Sequence, residues 1–314
     1  MNQNSSLHEK ADAARRQVET VIRGKSAAVE LLFTALFAGG HVLMDDVPGV
    51  GKTTLAKALA FTAGMEFSRI QFTPDLLPAD IIGASVYSPK DGSFSFRRGP
   101  VFTQLLLADE INRASPRTQS ALLEAMNERQ VTVDGVSHPL PKPFTVIATQ
   151  NPVESSGTFA LPEAQLDRFA VQLSLGYPDA ESERALLLDR RKSDPLDGLQ
   201  PVLTLDDLRR IAAEVREVAM EDSVTDYMLR IIQATREVPE FRLGASPRAL
   251  LTLARCVQSC AWMDRRSFIT PEDVRRMVHP VLAHRLILTL ESKHAGLVPG
   301  EILDGILKKI RVPA

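Results

Sequence analysis

Residues 41–62, HVLMDDVPGVGKTTLAKALAFT, pass from a short apolar run through a turn carrying Gly49 and Gly51 into a helix-forming segment. A strand, a glycine-bearing loop and a helix in that order constrain the fold more than any other stretch. They predict a βα unit whose loop presents consecutive backbone N–H groups, and the positive end of a helix, to a bound anion. The phosphate-loop pattern G-x-x-x-x-G-K-[ST] is met at Gly51, Lys52 and Thr53, while Asp46 stands where the pattern opens with glycine. Glycine is needed where backbone must approach a ligand or take positive φ, and Gly49 and Gly51 supply that freedom beside Lys52. Pro48, Gly49, Val50, Gly51, Lys52, Thr53 and Thr54 are therefore the candidate nucleotide contacts. Lys52 is expected to reach the β- and γ-phosphates and Thr53 to hold Mg²⁺, with Asp46 turned away and capping the turn. A plain strand–turn–helix that ends in G-K-T by coincidence is the competing reading.

Two further strand ends bear on the same chemistry. QLLLADE, residues 104–110, is an apolar run closing on Asp109 and Glu110, which places two carboxylates at the carboxyl end of a strand, where open α/β sheets bind ligands. Asp109 is the candidate for ordering the shell of Mg²⁺, and Glu110 for polarising an attacking water. FTVIATQNP ends in Gln150 and Asn151; an uncharged amide there would position water without a competing charge, although the pair also reads as a turn opener before Pro152.

Around these motifs, residues 17–177 alternate apolar runs with helical patterns, which predicts a parallel sheet covered by helices, a doubly wound α/β core. After GYPDAESE every segment has helical spacing and opens at Thr, Asp or Pro, so the 314 residues divide into a core over 1–177 and a helical second domain over 178–314. Two hairpins interrupt the core, at 84–98 around Asp91-Gly92 and at 130–144 around Asp134-Gly135. Each is a candidate contact loop or a solvated excursion.

Composition narrows the partners. Thirty-seven Lys and Arg nearly balance 39 Asp and Glu, and the net charge of −2 gives no footprint for a polyanion, so nucleic acid is not expected. Arg97 and Arg98 are the only local support for it. Cys256 and Cys260 read as reduced, partly buried thiols, and His279, His284 and His294 as structural. The pairs Arg265-Arg266 and Arg275-Arg276 and the run 190–192 read as solvent-facing. The polar N-terminus lacks the apolar core and cleavage site of a secretory signal, and AAVELLFTALFAGG is too short and too polar for a bilayer, which predicts a cytoplasmic protein without a membrane span.

Taken in order, VPGVGKTT, LLLADE, ATQNP, LPEAQLDRF and GASPRAL resemble the AAA+ ATPases of the MoxR family over nearly the whole chain. The resemblance implies ATP and Mg²⁺ as ligands and a homo-oligomeric, hexameric ring. It implies that Arg168 of LDRF is an arginine finger on a neighbour's γ-phosphate. It implies that Arg248 of GASPRAL is a sensor touching the phosphates and coupling lid position to nucleotide state. VIRGK resembles the family's adenine segment, so Val21, Ile22 and Gly24 would line the base, with simple helix-cap packing as the alternative. The hairpins resemble insertions that face the pore or one face of the ring. The family's work would be chaperone-like remodelling or maturation of partner proteins, often ones with a von Willebrand factor A domain, sometimes with metal-cofactor insertion. The alternatives are a ring nucleic-acid motor, disfavoured by charge, and a nucleotide-gated scaffold without turnover, disfavoured by the joint presence of Glu110, Asn151 and Arg168.

Overall fold

The structure is a computed structural model that describes residues 6–90, 92–151, 157–189 and 194–313. Asp91 of the expected first turn, Pro152 and the basic run 190–192 lie outside the described residues.

The chain opens with α1 (Leu7–Val21) and α2 (Ser26–Phe37), then β1 (Val42–Asp45), the loop, and α3 (Lys52–Thr62). There follow β2 (Phe67–Gln71), α4 (Pro78–Ile82), a hairpin of β3 (Gly83–Ser88) and β4 (Ser93–Arg98), β5 (Leu105–Asp109) and α5 (Pro116–Glu128). A second hairpin, β6 (Gln130–Val133) and β7 (Val136–Pro139), leads to β8 (Thr145–Gln150), α6 (Glu163–Leu166) and β9 (Val171–Leu173). Five of these strands pair in parallel in the order β2-β5-β8-β1-β9. Alternation along each strand feeds two cores. Val42, Met44, Leu105, Leu107 and Ile147 join the face covered by α1, α2 and α3, whereas Leu43, Leu106, Ala108, Val146 and Ala148 join the face covered by α4 and α5. With both faces buried, the strands read as continuous apolar runs, and all five residues of β5 are buried.

Helix α1 was not expected from its polar sequence. Ser6 and Glu9 form a reciprocal capping box at its start, and Leu7, Ala11, Ala14, Val18 and Val21 give it one buried stripe. Lys10 Nζ reaches the Asp207 carboxylate at 2.8 Å and so ties α1 to the C-terminal half.

That half is helical, as expected: α7 (Ala180–Asp189), α8 (Leu205–Glu217), α9 (Asp222–Glu237), α10 (Pro247–Met263), α11 (Pro271–Leu282), α12 (Leu290–His294) and α13 (Pro299–Lys309). One short antiparallel ladder is added, β10 (Phe241–Leu243) with β11 (Ile287–Leu288). Thr204 and Thr270 close capping boxes with Asp207 and Asp273, and Pro247 and Pro271 occupy first turns where a missing N–H costs nothing. Helix α9 starts at Asp222 behind Glu221, without a side-chain cap. The apolar cluster on the α2 face of the sheet continues without a break into α8–α11, so lid and core share one interior. Cys256 and Cys260 are free and buried in it, and desolvation pushes both thiols up, Cys256 to about 12. Arg266, expected to face solvent, is only 27% exposed because its guanidinium is paired with Asp273 at 2.6 Å.

Both hairpins form. Asp134 and Gly135 take φ 51° and 78°, the left-handed pair of a two-residue turn. Phe96 of the first hairpin stacks on His138 of the second, ring centroids 4.0 Å apart, so the two insertions make one projection. Arg98 is spent within it, lying over the Phe102 ring at 5.2 Å. Its outer side carries Tyr87 and Phe94, both exposed. Among the described residues, no helix is long and apolar enough to cross a membrane.

Two buried histidines set an acid limit. His41 and His284 are held neutral by desolvation, their pKa values lowered to about 4 and about 3 from 6.5. In each, the unfolded chain takes up a proton before the folded one does, so stability is full above pH 6.5 and is lost as pH falls toward 4 for His41 and 3 for His284. The melting temperature should therefore drop steeply below pH 6.5, and replacing either ring by Gln should flatten the slope. An unchanged slope in both variants would assign the acid limit to the carboxylates instead.

Candidate functional site

Register places the loop and the polar strand ends on one edge. Asp45 pairs with Gln150, Gln71 with Asp109, and Ala108 with Ala148, so β1, β2, β5 and β8 finish together. The loop leaves β1 there with Gly49 at φ 86° and Gly51 at φ 99°, values an L side chain resists. A Cβ at Gly49 would meet no atom within 4 Å, so the backbone is open to a ligand. Lys52 opens α3 and is 8% exposed; its ammonium donates to the carbonyls of Asp46 at 2.7 Å and Gln150 at 3.4 Å. Among the described residues this buried cation hydrogen-bonds only carbonyls, and at a helix start such an ammonium fits a polyphosphate. Thr53 and Thr54 follow in the first turn of α3, with Pro48 and Val50 in the loop itself.

Asp46 explains its own departure from the glycine pattern. Its carboxylate turns away from the loop and accepts hydrogen bonds from the backbone N–H of Leu175 at 2.5 Å, that of Gly176 at 2.9 Å and the Ser174 hydroxyl at 2.7 Å. It thereby pins the exit of β1 to the chain leaving β9. Asp46→Gly, although it restores the pattern, should orphan these donors and destabilise the fold by about 2 kcal/mol or more. A calorimetric melt checks it: a variant as stable as wild type would show that the carboxylate is no anchor.

Asp109 and Glu110 are organised by Thr149. The Thr149 hydroxyl donates to Asp109 at 2.6 Å and accepts the Glu110 N–H at 2.8 Å, locking the end of β5 to β8. Glu110 takes φ 57°, an uncommon conformation for a non-glycine residue, which turns its side chain off the strand direction. Its carboxylate accepts from Gln71 Nε2 at 2.7 Å and pairs with Arg113 Nε at 3.1 Å, while Arg69 pairs with Asp109 at 2.7 Å. Asn151 is buried one residue beyond Gln150. Thr149, Arg69, Gln71 and Arg113 were not singled out in the sequence; the partners of the first three come from neighbouring strands, whereas Arg113 stands three residues from Glu110, a spacing that could have pointed to it.

The adenine candidates also reach this edge. Ile22 Cδ1 lies 3.8 Å from where a Gly51 Cβ would be. Val21 is buried at the end of α1, and Gly24, at φ 71°, abuts Ser182 and Asp179 at the start of α7 so closely that a Cβ would lie 2.6 Å from Ser182 Oγ. Ile22 and Gly24 thus sit in one seam between the loop and the start of α7.

Arg168 and Arg248 stand elsewhere. Both line a cavity of about 410 Å³ with Gly39, Gly40 and His41, which precede β1, together with Arg129 and Arg255. The Arg168 guanidinium donates to the Leu123 carbonyl, and burial, then the charge of Arg248, lowers its pKa. Arg248, expected at the phosphates, lines this cavity beside Arg168. Gly39, Gly40 and His41 of this cavity lie at the amino end of β1, and the phosphate loop follows its carboxyl end, with the four residues of the strand, a rise of about 13 Å, between them.

Comparison with known proteins bears on this arrangement. Residues 41–171 match the family model described as ATPase family associated with various cellular activities (AAA), and residues 233–304 match the AAA lid domain. The fold and the site thus define an AAA+ ATPase. Chaperone MoxR1 of Mycobacterium tuberculosis is 39% identical, with 95% of this chain and 81% of that protein covered. YeaC of Bacillus subtilis, an uncharacterized protein, is 44% identical over 100% of this chain and 98% of its own. A solved structure from Cytophaga hutchinsonii superposes with a TM-score of 0.91 at 36% identity, covering 98% of this chain and 96% of that one. The chain belongs to the MoxR family of AAA+ ATPases.

Proposed function

We propose that the protein hydrolyses ATP as a ring in which each site is completed by the neighbouring subunit. The observation that carries this reading is the separation of the two cationic groups from the loop: Arg168 and Arg248 share one cavity at the opposite end of β1 from Lys52. With both arginines at the other end of β1 from their own loop, head-to-tail packing would set one end of each sheet against the other end of the next, and such contacts close into rings where the rotation allows.

In this reading the loop from Pro48 to Thr54 binds the phosphates and Val21, Ile22 and Gly24 line the base. Thr53 and Asp109 would hold Mg²⁺, which would offset charge on the β- and γ-oxygens. Glu110 takes a proton from the attacking water, whose position Asn151 fixes from β8. Arg168, with Arg248 beside it, supplies positive charge from the adjacent subunit. Gln71 and Arg113 both hold Oε2 of Glu110, and Arg69 holds Oδ2 of Asp109, so these neighbours orient the two carboxylates.

The ring has six subunits in this reading and works in the cytoplasm. Its task is chaperone-like remodelling or maturation of partner proteins, in particular those with a von Willebrand factor A domain, including assistance in metal-cofactor insertion. Family likeness supports this, and the paired hairpins with exposed Tyr87 and Phe94 are the surface offered to such a partner. The test is ATP turnover per subunit against protein concentration, with mass read by light scattering. Specific activity should rise as rings form; a monomer with undiminished turnover at every concentration would overturn the shared site.

A further inference from the structure

We propose that Asp167 is a positioning residue that fixes Arg168 and Arg248 to each other, so that the finger and the lid arginine are presented as one unit; this rests on the shared-site reading above. Asp167 caps the end of α6 and immediately precedes Arg168. Its carboxylate accepts the Ser246 hydroxyl, at 3.0 and 3.1 Å from its two oxygens, and lies 3.2 Å from Nε of Arg285. Ser246 and Arg285 both belong to the lid.

Each partner is committed. Ser246 is the N-cap of α10, accepting the Ala249 N–H at 3.0 Å, and Arg248 lies in the turn it caps. One hydroxyl therefore ties the orientation of that turn to Asp167. The Arg285 side chain is 2% exposed. Its Nη2 donates to the Phe169 carbonyl at 2.6 Å, and its Nη1 to the Val281 carbonyl at 2.8 Å. His284 donates Nε2–H to the same Phe169 carbonyl at 3.1 Å. The residues on both sides of Arg168 are thus gripped by the lid.

A buried ion pair is a weak source of stability, because the cost of desolvating both charges offsets their attraction. What it does supply is a fixed geometry. Here that geometry opposes a specific tendency: Arg168 and Arg248 carry like charges into one cavity, and without the clamp they would separate. Held together they meet a triphosphate as a preset pair, with no reorganisation left for the moment of reaction.

The test uses Asp167→Asn and Ser246→Ala in the full chain, alone and combined with Arg168→Ala. Asp167→Asn should keep nucleotide affinity within about twofold and still assemble, with kcat lowered about 10- to 100-fold and KM within about threefold. In the Arg168→Ala background the same change should alter kcat by less than about twofold, because its effect runs through the missing guanidinium. Mixing Asp167→Asn subunits with Glu110→Gln subunits should restore turnover, since each intact Glu110 then meets a neighbour with an intact clamp.

If Arg168→Ala is slow while Asp167→Asn and Ser246→Ala turn over at the wild-type rate, the clamp is wrong and the shared site stands. If Arg168→Ala is itself as fast as wild type, the shared site is wrong. Losses that multiply in the double variant overturn the proposal by assigning Asp167 a merely structural role. Should Asp167→Asn fail to fold, Ser246→Ala decides through the same cycle, as it removes one hydroxyl and leaves both charges paired.

Discussion

Arg168→Ala is expected to bind ATP with near wild-type affinity, to assemble, and to turn over about 10³-fold more slowly or worse. Binding survives because Lys52 and the loop lie at the far end of β1 from Arg168. Turnover does not, because the guanidinium counts most where charge builds on the transferring phosphoryl group, in a site sheltered from water. Folding should be little affected: among the described residues, the side chain donates only to the Leu123 carbonyl and otherwise lines an open cavity beside a second cation. The decisive measurement is a mixed assembly. Arg168→Ala subunits combined with Glu110→Gln subunits should regain turnover, because an intact Glu110 on the first is then served by an intact Arg168 on the second. No recovery from the mixture, given that both variants assemble, would show that the two residues act within one chain.

Glu110→Gln is expected to trap ATP in the assembled ring, with hydrolysis down about 10²- to 10⁴-fold. Glutamine preserves the shape and an acceptor oxygen for Arg113, and it faces the same left-handed backbone as Glu110, so the strand end and its Thr149 hydrogen bond should persist. What it lacks is the basic oxygen that takes a proton from water. Single-turnover measurement separates the two: nucleotide should remain bound as ATP in the variant and appear as ADP in the wild type. Loss of binding in place of loss of hydrolysis would instead make Glu110 a phosphate-site or structural residue.

How far these residues could be read in advance depended on whether their partners are local. The loop is a contiguous pattern, and Asp109, Glu110 and Asn151 close apolar strands, so their place at the carboxyl edge follows from strand direction alone. Pro247 and the caps Thr204 and Thr270 likewise announce their helices within four residues. Asp46 is different: its donors lie 128 to 130 residues away, and only the pairing of β1 with β9 brings them into reach. The same holds for Gln71 on Glu110 and for Arg285 on Phe169, set by strand order and by lid docking. Helix α1 escaped notice because its buried stripe is built partly from alanines, which contribute little to an apolar pattern, and Arg266 because its acidic partner lies on the next helix.

The uninterrupted interior shared by the sheet, α2 and α8–α11 bears on how such a machine could move. A joint can flex cheaply only where few buried contacts cross it, and here the boundary between core and lid is crossed by a packed helix, by Lys10 on Asp207 and by Arg285 on Phe169. Each chain is in that respect stiff across this boundary, and any large motion takes its softest path where fewer buried contacts have to part.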